Sequence, residues 1–236
     1  MNEFMKRFLH SADMTTPVEE LIAQNKARRE ADEAKQHAHF KKQIEEARTA
    51  DVIGRSGILP LHMNCSVANF QASTPEQNHA KEFATQYIAN FHVNNGGGFI
   101  FSGTPGTGKN HLAAAICNAL MESNYTCLVI TVNELMQKLR NCYKSGSETT
   151  EDRFIQTMIG YDLLVIDEIG LQRGTDAENL ALNQIIDQRV CRFKPTGMLT
   201  NLEAKAMSEC LGARIMDRMR MNGGKWIAFN WQSFRK

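Results

Sequence analysis

The chain has 236 residues, 42% of them hydrophobic, and a formal net charge of +1. That length supports one substantial core plus a smaller accessory segment, and the near-neutral balance excludes a molecule-wide attraction to nucleic acid, membrane or acidic substrates, so any nucleic-acid contact rests on a local patch. Six scattered cysteines without a C-x-x-C pair or a nearby His cluster read as reduced, mostly buried thiols, while the absence of a secretory signal pattern and of any stretch near ~18 apolar residues gives a cytoplasmic expectation with no membrane role.

From Val18 to Asp51 the sequence is rich in Ala, Glu, Lys, Arg and Gln, free of Gly and Pro, and mixed in charge sign, which predicts a helix. Its apolar residues, among them Leu21, Ile22 and Ile44, are too sparse to build a core, so the helix is either solvated or docks on a partner. Gly54, Gly57 and Pro60 break the pattern. The expected division is an arm over residues 1–54, a linker over 55–75 and the main domain over 76–236.

Ser73 or Thr74 precedes Pro75 as a cap, and Phe83, Ala84, Tyr87, Ile88 and Phe91 follow at helical spacing. Beyond that helix, apolar strands alternate with helices: GFIFSG, a helix from Gly108 to Glu122, TCLVITV, helices from Asn133 and near Asp152 to Ile159, YDLLVIDE, a helix over Glu178 to Cys191, TGMLTN, two short helices between Ala204 and Met221, and WIAFN. Continuous apolar strands separated by helices predict an α/β fold with a parallel sheet covered on both faces.

Gly103, Thr104, Pro105, Gly106, Thr107, Gly108 and Lys109 fit G-x-x-x-x-G-K between an apolar strand and a helix. In that setting the glycines let backbone N–H groups turn toward phosphate, the helix N-terminus adds partial positive charge, and Lys109 reaches the phosphate oxygens. Asn110 and then His111 follow the lysine where Ser or Thr is usual. Asn110 either supplies an amide oxygen to Mg²⁺ or caps the helix.

The strand Tyr161 to Ile166 ends in Asp167 and Glu168. Carboxylates at that edge of a parallel sheet suit metal binding by Asp167 and orientation of an attacking water by Glu168. Asn201 ends the strand GMLTN and either reaches the terminal phosphate or caps the next helix. Arg214 and Arg218 are four apart on a short helix, either as surface residues beside Asp217 or as groups that stabilise charge on a transferring phosphoryl.

Together these stretches resemble the AAA+ ATPases, in the branch that holds the DnaC-type helicase loaders, DnaI and the transposition helper IstB, with the DnaC type the nearest of the three. The likeness rests on RSGILPLHMNCS, FIFSGTPGTGKNHLAAAICN, DLLVIDEIG, KPTGMLTN, ARIMDRMR and FNWQSF, and runs from about Arg55 to the C-terminus. It implies a three-layer α/β/α P-loop fold, ATP and Mg²⁺ as ligands, ATP hydrolysis, Lys109 as the nucleotide lysine, Asp167 as metal acid, Glu168 as water-orienting acid and Asn201 as a sensor. Arg218 matches the arginine finger supplied to a neighbouring subunit, with Arg214 the runner-up, and such a finger implies self-assembly into a spiral or ring.

The resemblance further implies DNA replication as the process, a DnaB-type replicative helicase gripped by the N-terminal arm, and single-stranded DNA bound around Asn133 to Gly146. There Tyr143 stands between Arg140 and Lys144, suited to base stacking and phosphate contact, or simply to a surface. No C-terminal helical lid is expected after WIAFN. An IstB-like regulator of transposition is the alternative function.

Overall fold

The computed structural model describes residues 56–147, 149–172 and 174–235. The expected helical arm lies outside the described residues.

Five parallel strands form the sheet: β1 (Phe99–Gly103), β2 (Cys127–Thr131), β3 (Leu163–Ile169), β4 (Thr196–Thr200) and β5 (Lys225–Phe229). Their spatial order is β2-β3-β4-β1-β5. Helices α1 (Pro75–Ala89), α2 (Lys109–Glu122), α3 (Val132–Cys142), α4 (Glu151–Gly160), α5 (Asp176–Cys191), α6 (Ala204–Leu211) and α7 (Ala213–Arg220) complete the described fold. None of them is long and apolar enough to cross a membrane.

Strand residues alternate between two apolar clusters because successive side chains leave a strand on opposite faces. Phe99, Phe101, Leu163, Val165, Leu199 and Phe229 join α1 and α2 on one face, while Ile100, Leu128, Ile130, Leu164, Ile166 and Met198 join α3 to α7 on the other. Both faces are therefore covered, as the continuous apolar runs predicted. Each fully buried Leu, Ile or Phe contributes roughly 1.5–3 kcal/mol by leaving water.

Local capping fixes the helix starts. Thr74 Oγ1 accepts from Gln77 N while Gln77 Oε1 accepts from Thr74 N, a reciprocal pair ahead of Pro75 at the first turn. Thr131 and Glu134 repeat the arrangement at α3.

Residues 56–74, read from the sequence as part of a linker, pack on the domain itself. Ile58, Cys65 and Phe70 are buried, Val129 N donates to Ser56 O, and Asn118 Nδ2 on α2 donates to the carbonyls of His62, Met63 and Cys65. Their apolar side chains find the outer face of α2, which the periodicity of the segment alone did not indicate. This stretch becomes one wall of the site.

Candidate nucleotide-binding site

β1 delivers the chain into the loop 103–108 with the backbone in conformations that favour glycine. Gly106 has φ +79° and Gly108, the residue preceding α2, has φ +90°. At Gly103 a Cβ would lie 2.3 Å from Phe229 O, so no side chain fits between the loop and β5.

Most of the loop's carbonyls are occupied, while the N–H groups at its helix end are not. Gly103 O and Thr104 O accept from Lys109 Nζ at 2.6 and 2.8 Å, Thr104 O also accepts from Thr107 Oγ1, Gly106 O accepts from Phe234 N, and Thr107 O accepts from Trp231 Nε1. Among the described residues, the N–H groups of Gly106, Thr107 and Gly108 donate to no protein acceptor. Such converging free N–H groups at a helix start are an anion cradle.

Lys109 is 6% exposed, and its ammonium is held by three neutral oxygens, the third being Asn201 Oδ1 at 2.9 Å. No carboxylate lies within ion-pair distance of it among the described residues. Burial lowers its proton affinity, with the Asp167 charge acting in the opposite direction. A buried cation with only neutral partners is completed by an anion in front of it.

Asp167 and Glu168 sit where β3 departs from regular pairing with β4. Ile166 pairs with Met198 and Ile169 with Thr200, so two acids oppose the single residue Leu199. This bulge re-aims the strand end, and Glu168 takes φ +58°, a left-handed conformation uncommon outside glycine. Asp167 Oδ1 accepts from Glu168 N at 2.6 Å, and Oδ2 accepts from Asn110 Nδ2 at 2.5 Å. Burial raises the Asp167 carboxyl above its ordinary value despite these bonds.

Neither of the two asparagines serves as a helix cap. Asn110 makes no capping bond to α2, and α6 is preceded by Glu203, so Asn201 is not its cap. Both side chains face the phosphate loop instead, through Asp167 and Lys109. His111 borders the same cavity, and its Nε2 lies against Asn69 Oδ1 and Ser66 O, where it helps hold the 56–74 wall.

Around these groups lies a cavity of about 710 Å³. Gly106, Lys109, Asn110, Asp167, Glu168 and Asn201 form one part of its lining, and the same cavity extends to His62, Phe70, Phe234 and Arg235. Those last four were missed as site residues; His62 and Phe234 lie within the segments RSGILPLHMNCS and FNWQSF that carried the resemblance, whereas Phe70 and Arg235 lie beyond them and carried no signal.

Arg214 and Arg218 do not border this cavity. Both hold Asp187 of α5, Arg218 Nε reaching Oδ1 at 2.5 Å and Arg214 Nη2 bonding Oδ2, so their partner is Asp187 and not Asp217. Arg140 is likewise turned to Glu178, at 2.6 Å, which leaves Lys144 as the cation beside the exposed Tyr143. Among the described residues no cluster of three or more His, Cys, Asp or Glu side chains forms a metal site.

The family model described as IstB-like ATP binding protein matches residues 9–220. The chain belongs to that family. Within it, the replicative helicase loader DnaC of Escherichia coli K12 is 46% identical over 181 residues, covering 77% of this chain and 73% of that protein. The uncharacterized protein YdaV of the same strain is 45% identical over 194 residues, covering 82% and 77%. A crystal structure of the DnaC helicase loader superposes with a TM-score of 0.63 at 22% identity, covering 72% of this chain and 99% of that one. The fold is that of the AAA+ P-loop domains, and the family is one of ATP-binding proteins.

Proposed function

We propose that this chain is an ATP-hydrolysing loader that places a DnaB-type replicative helicase on single-stranded DNA. The observation that carries the catalytic half is the buried Lys109 ammonium, which faces the free N–H groups of the loop and has no anionic partner among the described residues. A polyphosphate supplies the missing charge.

In this reading Lys109 and the loop N–H groups bind the β- and γ-phosphates. Asp167 offers its carboxylate, and Asn110 its amide, on the metal side. A Mg²⁺ bound with the nucleotide neutralises phosphate charge; one carboxylate plus phosphate and water oxygens is a donor set that fits it. Glu168 orients the attacking water and takes its proton as the bond between γ-phosphorus and the ADP oxygen breaks. Asn201, already bonded to the Lys109 ammonium, can pass on the presence of the terminal phosphate to β4 and α6.

Arg218 acts on the site of a neighbouring subunit, which requires it to leave Asp187 and requires assembly into a spiral or ring. Tyr143 and Lys144, just past the C-terminal end of α3, contact single-stranded DNA, residues 1–54 grip the helicase, and 76–236 form the ATPase domain. The name of the E. coli relative supports the loader assignment. The description of the family supports a second reading, an IstB-like ATPase that regulates transposition.

Two measurements test this. Lys109→Ala and Arg218→Ala are each inactive in ATP hydrolysis, and mixing them restores turnover through sites shared between subunits; full activity of Arg218→Ala alone removes it as the finger. The full chain retains a DnaB-type helicase on single-stranded DNA in the presence of ATP, whereas binding to duplex DNA with no helicase affinity favours the transposition reading.

A further inference from the structure

The turn that carries Glu168 out of β3 is held from three sides. Within it, Leu171 N donates to Glu168 O at 3.1 Å, and Glu168 N donates to Asp167 Oδ1. From the end of β4, Thr200 Oγ1 donates to Ile169 O at 2.8 Å and accepts from Leu202 N at 3.0 Å. Gly170, at φ +110°, lies so near Leu202 that a Cβ would stand 2.7 Å from its Cδ1.

The third hold is the side chain of Gln172. Its Oε1 turns back to accept from Gly170 N at 2.8 Å, and its Nε2 donates to Cys210 Sγ of α6 at 2.9 Å. One amide thus closes the turn and anchors it to a helix 38 positions away. The pairing needs an acceptor and a donor on one side chain of this length: glutamate lacks the donor, lysine lacks the acceptor, and asparagine is one methylene shorter.

Glu168 depends on such a frame. A left-handed backbone at a residue with a side chain persists where its surroundings over-determine it. The Glu168 carboxylate itself makes no hydrogen bond or ion pair among the described residues, so the backbone of the turn alone aims it into the cavity.

We propose that Gln172 is a positioning residue for Glu168, with Cys210 as its anchor. This rests on the reading of Glu168 as the acid that orients the attacking water. Without the amide, Gly170 N loses its acceptor and the turn its tie to α6, and the carboxylate moves off the water. A displacement near 1 Å costs on the order of 100-fold in rate. The phosphates are bound as before, because the loop 103–108 and Lys109 make no contact with Gln172.

The test is single-turnover and steady-state ATP hydrolysis with calorimetric ATP binding by the full chain, comparing wild type with Gln172→Ala, Cys210→Val, Cys210→Ser, Glu168→Ala and the double variant Glu168→Ala/Gln172→Ala. Gln172→Ala should lower kcat roughly 10- to 100-fold, and Cys210→Val should lower it less, with KM, ATP affinity and thermal midpoint unchanged. Cys210→Ser still offers an acceptor and regains most of what Cys210→Val loses. In the Glu168→Ala background, removing Gln172 lowers the residual rate no further, the sign that it acts through Glu168. Wild-type kcat in Gln172→Ala, beside a Glu168→Ala that has lost turnover, overturns the inference alone. So does a fully additive loss in the double variant, or a loss of ATP affinity that matches the loss in kcat. Should Gln172→Ala fail to fold, equal rates in Cys210→Val and Cys210→Ser overturn the anchor. Full turnover in Glu168→Ala removes the reading of Glu168 and takes Gln172 with it.

Discussion

Asn110 and Asp167, separated by 57 positions in the chain, are joined by a 2.5 Å bond from the amide to the carboxylate. It ties the first turn of α2 to the bulged end of β3, so the phosphate loop and the acidic pair move together. Under the proposed function, this amide stands where P-loop proteins usually carry a hydroxyl, anchoring the acid and offering an oxygen on the metal side. Asn110→Ala removes both, and the Mg²⁺ concentration giving half-maximal ATP hydrolysis rises roughly tenfold or more, as expected for one bond to a charged group. Asn110→Thr restores most of it. An unchanged Mg²⁺ midpoint in Asn110→Ala counts against this role.

Asp167, the metal-side acid of the proposed function, destabilises the ligand-free fold at neutral pH. Burial raises its pKa above the ordinary 3.8, so between those two values the folded state holds more protons than the unfolded one, and its contribution to stability declines as pH rises through that window. Metal and nucleotide binding need the ionised form and gain over the same window. Asp167→Asn, with no nucleotide present, should therefore raise stability at neutral pH by about 0.5–2 kcal/mol and abolish turnover. Urea unfolding at neutral pH and at pH near 4 checks the sign: the variant's advantage shrinks at the lower pH.

Asp187 is the opposite case. Burial raises it, but the bonds from Arg218 and Arg214 outweigh that and hold it below its ordinary 3.8. Its stabilising contribution is present above that value and is lost as pH falls through the lower folded one. More useful is its grip on Arg218, the residue proposed to serve a neighbour. Asp187→Asn loosens that grip, and ATP turnover at low protein concentration should increase. Turnover that stays unchanged across the concentration series indicates that Arg218 is not limited by Asp187.

Arg189 is fully buried and has no carboxylate partner among the described residues, and burial pulls its pKa down to about 10, which leaves it charged at neutral pH. Its guanidinium donates to the carbonyls of Met158, Ile159, Tyr161 and Pro195, and to Thr196 Oγ1. It closes the C-terminal end of α4, where cations are favoured. Arg189→Met leaves several of these carbonyls buried and unpaired, at about 1–3 kcal/mol each. Denaturant unfolding should show a loss of at least about 3 kcal/mol, with ATP affinity of the folded fraction unchanged.

The loop around Lys109 and the acids at 167 and 168 were legible because each is a local pattern: a glycine-rich turn between an apolar strand and a helix, and an apolar strand closed by carboxylates. The same holds for Thr74 ahead of Pro75, where three or four neighbouring residues complete the cap. Asn110 and Asn201 were legible as candidates but ambiguous in role, because an amide serves a helix end and a ligand equally well. Their bonds to Asp167 and Lys109, from distant parts of the chain, come only with the tertiary structure.

The sequence by itself determined the parallel α/β class, the phosphate loop and the acidic strand end, since periodicity and turn chemistry are encoded within a few residues. Tertiary structure decided that residues 56–74 are a wall of the domain, that Gln172 ties the acidic turn to Cys210, that Asp187 holds both Arg214 and Arg218, and that Arg140 turns to Glu178. Each of these joins groups many positions apart, where the partner is chosen by the packing of two elements on a shared face of the sheet, and no periodicity in either segment carries that choice.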